Sequence, residues 1–70
     1  MKMIINDTVE LLVDIPCENL KIGSIGVIVE LFNDKKGNVY EVEFCNQNGE
    51  TLTTVTLNEK QIKKVSASFK

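Results

Sequence analysis

The chain has 70 residues, 43% of them hydrophobic and 26% charged, which suits one small folded domain and excludes two ordinary cores, low-complexity scaffolds and disorder. Eight lysines against ten acidic residues give a formal net charge of -2, whereas nucleic-acid binders usually concentrate positive charge. The chain contains no His, Trp or Arg. It therefore lacks the commonest general base and the guanidinium group that binds a phosphate through two hydrogen bonds. We therefore expect a non-catalytic binding domain, not an enzyme.

The two cysteines, Cys17 and Cys45, do not form a disulfide framework, and without His they fall short of the four ligands of a structural zinc. We expect reduced thiols, no bound metal and no cofactor. The longest apolar runs are too short for a membrane span or for the core of a signal peptide. The sequence therefore predicts a cytoplasmic protein that does not bind a membrane.

Short runs rich in Val, Ile and Thr alternate along the chain with Gly, Asn and Asp, a pattern typical of an all-β domain. The predicted strands are Thr8 to Val13, Ser24 to Phe32, Val39 to Cys45, Glu50 to Leu57 and Ile62 to Val65. The predicted connections are an irregular segment Pro16 to Gly23, a loop Asn33 to Asn38, a two-residue turn Asn48-Gly49 and one helical turn Glu59 to Gln61 capped by Asn58. One domain is expected, with its core between residues 7 and 65 and a frayed tail over 66–70.

The two central hairpins predict the pairing of the strands. A two-residue turn at Asn48-Gly49 brings Gln47 opposite Glu50, and counting outward pairs Phe44 with Thr53. The remaining expected pairs of this hairpin and the one before it are Val42 with Val55, Tyr40 with Leu57, Leu31 with Tyr40, Val29 with Val42 and Val27 with Phe44. In these pairs core residues meet core residues, with Tyr40, Val42 and Phe44 of strand three directed inward. In strand two the register therefore places Ile25, Val27, Val29 and Leu31 on the core side and Gly26, Ile28 and Glu30 on the other. Gly26 indicates a bulge or a close backbone approach.

Five short strands, a long early loop and a helical turn before the last strand predict a small five-stranded barrel of the SH3-like type rather than an OB-fold. Several stretches carry a family resemblance: Asp7-x-Val9, Asp14-Ile15-Pro16, Leu20-x-x-Gly23-x-x-Gly26-x-x-Val29, Tyr40-x-Val42-Glu43-Phe44, Gly49-x-Thr51, Thr56-Leu57 and Gln61-Ile62. Over residues 7 to 65 the chain resembles a bacterial family of small stand-alone proteins of unknown function. The resemblance implies an SH3-like barrel related in outline to the KOW module, and thus RNA or protein binding. It also implies an immunity or antitoxin role, because genes of this family can lie beside toxin-like genes.

Glutamates dominate one side of the middle strands. The register places Glu41 opposite Glu30 and Thr56, and Glu43 opposite Thr54 and Ile28, all facing outward. Like charges directly across a ladder are destabilising, so an outward face that keeps Glu30 beside Glu41 suggests a docking surface for a basic protein. The alternative is a solvated face whose charges prevent aggregation of sheet edges. Because Glu41 and Glu43 lie on one flat strand and not across a pocket, we do not expect acid–base catalysis.

The early loop, Asp14 to Lys21, is a second candidate for partner contacts through Asp14 and Glu18. Its alternative role is a plain connection in which Ile15 and Leu20 fold back over the open end of the barrel.

The lysines suggest a different function. Two small clusters, Lys35 with Lys36 and Lys60 with Lys63 and Lys64, are candidates for phosphate contacts in a KOW-like RNA- or ribosome-associated module, and otherwise serve solubility. A third hypothesis is a subunit whose β-edge completes a larger complex. The sequence favours the basic protein partner over nucleic acid, and it does not specify an oligomeric state.

Overall fold

Five antiparallel strands form a single sheet in the computed structural model, which describes residues 3–35, 37–46 and 48–65. The strands are β1 (Thr8–Leu11), β2 (Ile25–Asp34), β3 (Gly37–Cys45), β4 (Thr51–Asn58) and β5 (Ile62–Lys64). Their order across the sheet is β4-β3-β2-β1-β5, so β4 and β5 lie at its two edges. The prediction of an all-β domain with five strands is confirmed. The tail expected over 66–70 lies outside the described residues.

A hydrogen-bonded turn connects β4 to β5 at the position where the sequence predicts one helical turn, Glu59 to Gln61. The Gln61 N–H donates to the Asn58 carbonyl at 3.1 Å, and the Asn58 side chain accepts from the Lys60 N–H at 2.8 Å. The Gln61 side chain accepts in return from the Asn58 N–H at 2.9 Å, the reciprocal arrangement of a capping box. The 3₁₀ helix of the described chain lies elsewhere, at Pro16–Glu18 in the early loop.

The early loop closes on itself and covers part of the core. Ile15 and Leu20 form an isolated antiparallel bridge, with N–H to carbonyl distances of 2.8 and 3.1 Å. Leu20 is buried, and Ile15 packs against the core from the side. The strand before this loop ends at Leu11, two residues earlier than predicted, and Val13 also packs against the core. The loop is therefore a lid whose apolar residues extend the interior.

The core is made entirely of apolar side chains and one tyrosine in the part of the chain that the structure describes. Its buried members are Met3, Val9, Leu11, Leu20, Ile28, Tyr40, Val42, Phe44, Leu57 and Ile62. They come from all five strands, from the lid and from the segment before β1. The buried residues of β3 alternate with half-exposed ones, as period-2 strands with one dry face require.

A bulge in β2 changes the register that the sequence predicts. The pairs near the hairpin are as expected, with Leu31 opposite Tyr40 and Glu30 opposite Glu41. The ladder then shifts between Ile28 and Glu30, so Val29 is the extra residue and Ile28 lies opposite Val42. The expected pairs Val29 with Val42, Val27 with Phe44 and Ile28 with Glu43 are therefore wrong.

The shift exchanges the two faces over the first half of β2. Ile28 is fully buried, whereas Ile25 is 50% exposed and Val29 is 37% exposed. The placement of Ile25, Val27 and Val29 on the core side is consequently wrong, and Gly26 and Ile28 occupy that side. Leu31 packs against the core as predicted.

Gly26 explains why this register is preferred. It lies opposite Phe44, and a Cβ atom at Gly26 would be 2.7 Å from Val42 Cγ1 and 2.9 Å from Phe44 Cδ1. Only glycine leaves room for the aromatic ring to cross the neighbouring strand. The predicted close approach at Gly26 is confirmed, while the bulge lies three residues further along β2.

Both hairpin loops differ in length from their predictions. Pairing between β2 and β3 continues to Asp34 and Gly37, so the expected six-residue loop is largely strand. In the second hairpin the Asn46 N–H donates to the Glu50 carbonyl at 2.9 Å, so the loop spans residues 47–49. Gly49 has a φ of +81°, the left-handed conformation that closes a three-residue hairpin loop. The expected pair Gln47 with Glu50 includes a residue outside the described part of the chain.

A second bulge, at Leu52, compensates for the extra residue of this loop, so the pairs beyond the bulge are in the predicted register. Phe44 still lies opposite Thr53 as predicted, but Cys45 lies opposite Thr51. The pairs Val42 with Val55 and Tyr40 with Leu57 are confirmed.

Replacing Gly26 with Ala is expected to lower the free energy of unfolding by about 1–3 kcal/mol, because the added methyl overpacks the Val42–Phe44 contact. Urea denaturation with unchanged m-value measures the loss. Asn33→Ala, at an exposed position of the same strand, serves as the control and should change stability by less than about 0.5 kcal/mol. Equal stability of Gly26→Ala and the native chain would contradict the close approach.

Candidate functional site

The side of the sheet that faces away from the core is called here the outer face. Its rows follow from the strand pairing, because residues directly opposite each other point to the same side. The described strands give four such rows, and the residues of each row lie side by side on neighbouring strands. The rows are Glu10 and Ile25; Thr8, Val27, Glu43 and Thr54; Glu30, Glu41 and Thr56; and Phe32, Val39 and Asn58. The outer face therefore carries acidic, apolar and threonine side chains in neighbouring columns.

Three neighbouring glutamates of this face come from two adjacent rows and are together called the acidic row: Glu30, Glu41 and Glu43. Glu30 lies directly opposite Glu41, as the sequence predicts, and Glu43 is two residues further along β3. Each β3 glutamate is oriented by a threonine of β4, since Thr56 Oγ1 donates to Glu41 and Thr51 Oγ1 donates to Glu43 at 3.1 Å. Neutral hydroxyl donors hold these two carboxylates in place without neutralising them.

The ion pairs of the described chain lie away from the acidic row. Lys63 Nζ is 3.9 Å from a Glu10 carboxylate oxygen, and Lys64 Nζ is 3.6 Å from an Asp7 oxygen. Both pairs join β5 to the start of the sheet. Within the described residues no lysine lies within 4 Å of the carboxylates of the acidic row, so no ion pair neutralises these negative charges.

Three apolar residues lie on the β2 column of the outer face, Ile25 and Val27 before Glu30 and Phe32 after it, and they are called here the apolar stripe. Ile25 and Phe32 are each 50% exposed, while Val27 is half-buried and lies opposite Glu43. Single apolar residues on a surface are ordinary, whereas exposed apolar side chains grouped with polar ones are found at protein-binding surfaces. Sequence reasoning missed this stripe because it placed Ile25 and Val27 in the core.

The two acidic residues of the early loop do not join the acidic row. Glu18 accepts a hydrogen bond from Thr53 Oγ1 at 2.8 Å, and Thr53 lies opposite Phe44 on the core side of the sheet. Asp14 accepts from the Ile22 N–H at 2.8 Å and thereby fixes the loop between β1 and β2. The structure gives both carboxylates contacts that hold the lid in place.

The lysines proposed for phosphate contacts lie in different surroundings. Lys63 and Lys64 each lie near a carboxylate, and Lys60 lies exposed in the turn before β5. Lys35 is exposed in the hairpin between β2 and β3, and Lys36 lies outside the described residues.

The cysteines lie at two separate places in the fold. Cys17 and Cys45 are both free and exposed, and they lie in the lid and at the end of β3. Over residues 3–35, 37–46 and 48–65, no three side chains of His, Cys, Asp or Glu come together as metal ligands would. None of the helical segments among these residues has the length and apolar character needed to cross a membrane.

The family model described as a domain of unknown function (DUF4926) matches residues 5–64, which include all five strands and the whole outer face. No curated protein and no solved structure matches the chain.

Replacing Glu30 with Gln is expected to stabilise the protein by a few tenths of a kcal/mol up to about 1 kcal/mol at low salt, because it removes the like-charge pair with Glu41. Thermal unfolding at low and high ionic strength measures the effect, and the gain should shrink near 1 M salt, where screening acts over about 3 Å. Glu10→Gln removes a carboxylate of the same face that lies beside Lys63, so it should give no gain. Equal gains from both variants would show that net charge, and not the Glu30–Glu41 contact, governs stability.

Proposed function

The chain belongs to the DUF4926 family, and we propose that this member is a non-catalytic module that docks a basic protein on its outer face. The observation that carries the proposal is the acidic row beside the apolar stripe. Glu30 and Glu41 are held opposite each other at a small cost in stability, and exposed apolar side chains precede and follow Glu30 on β2.

The acidic row and the apolar stripe have complementary roles in binding. Carboxylates that already face solvent accelerate the encounter with a cationic surface and fix its orientation. Apolar side chains at the centre of an interface supply much of the affinity once water is excluded. Phe32 and Ile25 are the anchors, because they expose the largest apolar surface of the stripe. The partner is therefore a protein whose binding surface combines lysine or arginine with apolar residues.

The proposal extends to fold type and biological role. The strand order β4-β3-β2-β1-β5, with a long early loop and a turn before the last strand, supports an SH3-like barrel. A small acidic domain that binds a basic protein without chemistry of its own is suited to inhibition, so we propose an immunity or antitoxin role in the cytoplasm. In such a role the domain would mask the basic surface with which a toxin contacts its own target.

RNA binding is the less favoured function. Lys63 and Lys64 lie beside Glu10 and Asp7, which reduces the positive charge available to phosphates. The acidic row would in addition repel the negatively charged backbone of a nucleic acid.

The double substitution Glu41→Lys/Glu43→Lys is expected to weaken binding of the partner by about tenfold or more, while the thermal midpoint stays within a few degrees. The partner is isolated from an extract of the source cells on the immobilised native chain at low salt, identified by mass spectrometry, purified and titrated against each variant. The native complex should also weaken steeply as salt is raised.

The matched control is Glu50→Lys/Glu59→Lys, which makes the same change in charge at exposed positions of the two turns that flank β4. This control should bind within about twofold to threefold of the native chain. A partner that is acidic, or that binds the Glu41→Lys/Glu43→Lys variant as well as the native chain, would rule out docking on the acidic row. Retardation of mixed RNA by the native chain at low salt, lost steeply as salt rises, would instead support the RNA alternative.

A further inference from the structure

Beyond its bulge at Leu52, the edge strand β4 lacks the short length, the charge and the proline that normally protect an edge. Its sequence, Thr51–Asn58, contains no charged residue and no proline over eight residues. Among the described residues its backbone pairs with β3 on one side, and no backbone hydrogen bond joins its other side to the rest of the chain. Exposed edges of this length and composition pair readily with another strand.

The opposite edge of the sheet shows the contrast. β5 has only three residues, and two of them are Lys63 and Lys64. Short edge strands with lysines resist pairing with another chain. The same domain therefore protects one edge by length and charge and leaves the other available.

We propose that β4 pairs antiparallel with β4 of a second copy of this chain, joining two five-stranded sheets into one. The inference is independent of the partner proposed for the outer face. A twofold axis perpendicular to the sheet keeps the core side and the outer face of each copy aligned, and such an isologous contact is the commonest form of protein association.

The register proposed for this pairing lies in the regular part of β4, beyond the bulge at Leu52. That part runs from Thr53 to Asn58, and we place the twofold axis at Val55 within it. Val55 then lies opposite Val55 of the second copy, and Thr54 lies opposite Thr56 of the second copy. Residues directly opposite in an antiparallel pair share a face, and these pairs match apolar with apolar and threonine with threonine.

Charge favours a second copy at this edge over contact between two outer faces. Stacking the faces of two copies would bring one acidic row against another. In the edge-paired sheet, the β3 strands of the two copies are separated by three strand spacings, about 14 Å. This separation exceeds the Debye length of about 8 Å at physiological salt, so the acidic rows repel each other weakly. The β4 strands themselves contribute no charge to the contact.

The pair would expose a single continuous outer face. Its centre would be the threonines of both β4 strands, with the acidic row of each copy on either side. Five facing residues make a small interface, and small interfaces are weak, so we expect an equilibrium between monomer and dimer at micromolar or higher concentration.

Sedimentation velocity over a range of concentrations tests the proposal. The native chain should move from monomer to dimer as concentration rises, and Thr54→Lys/Thr56→Lys should remain monomeric over the same range. In the proposed register each introduced lysine would face a lysine of the second copy. Within one chain they lie opposite Glu43 and Glu41, so the monomer should keep its fold, which circular dichroism checks.

The control Ile22→Lys/Asn33→Lys adds the same two charges at exposed positions away from β4, and it should dimerise like the native chain. A native chain that remains monomeric to about millimolar concentration, or equal dimerisation of both variants, would overturn the proposal. Amide shifts that change with concentration should be confined to β4. Shifts confined to the acidic row would also overturn pairing through β4.

Discussion

The close contact between β2 and β3 at Gly26 determines what each face of the sheet carries. The Phe44 ring occupies the space that a side chain at Gly26 would take, and this fixes Gly26 on the core side. The strand must then gain one residue before its hairpin so that Leu31 can also reach the core, and Val29 is that residue. The absence of a Cβ atom at Gly26 and the extra residue Val29 thus direct Ile28 toward the core and Ile25 and Val27 toward the outer face.

The composition of the outer face depends on this arrangement. With a regular ladder, Ile28 instead of Val27 would lie opposite Glu43, and Ile25 would be directed toward the interior. The bulge therefore replaces Ile28 by Val27 opposite Glu43 and brings Ile25 to the outer face, where it adds to the mixed surface on which the proposed binding rests. Bulges are common where a strand must redirect side chains near a functional surface.

The sequence predicted the parts of the fold that depend on short-range patterns. Strict alternation in β3 identified Tyr40, Val42 and Phe44 as core and Glu41 and Glu43 as outward, and the count from the first hairpin placed Glu30 beside Glu41. The acidic row was therefore accessible to sequence reasoning before its geometry was known.

The parts that failed depend on long-range packing. β2 is apolar on both sides from Ile25 to Val29, so alternation could not decide which side faces the core. A glycine at a position that pairs with a large aromatic residue was the available signal, but its use requires the register in advance. The second hairpin failed for a related reason, because Asn-Gly favours a two-residue turn, whereas the side chain of Asn46 accepts from the N–H groups of Asn48 and Glu50 and stabilises a longer loop.

The first and last strands of the chain are held together by Asp7 and its neighbours. The Asp7 carboxylate accepts from the Ile4 N–H at 2.9 Å and lies 3.6 Å from Lys64 Nζ, while the Val65 N–H donates to the Thr8 carbonyl at 2.9 Å. These contacts join residues almost sixty positions apart and bring the two ends of the described chain side by side. The backbone thus traces a nearly closed ring, so a circular permutation that joins these ends and opens the chain at the exposed Asn48 and Gly49 would retain every strand pair of the sheet.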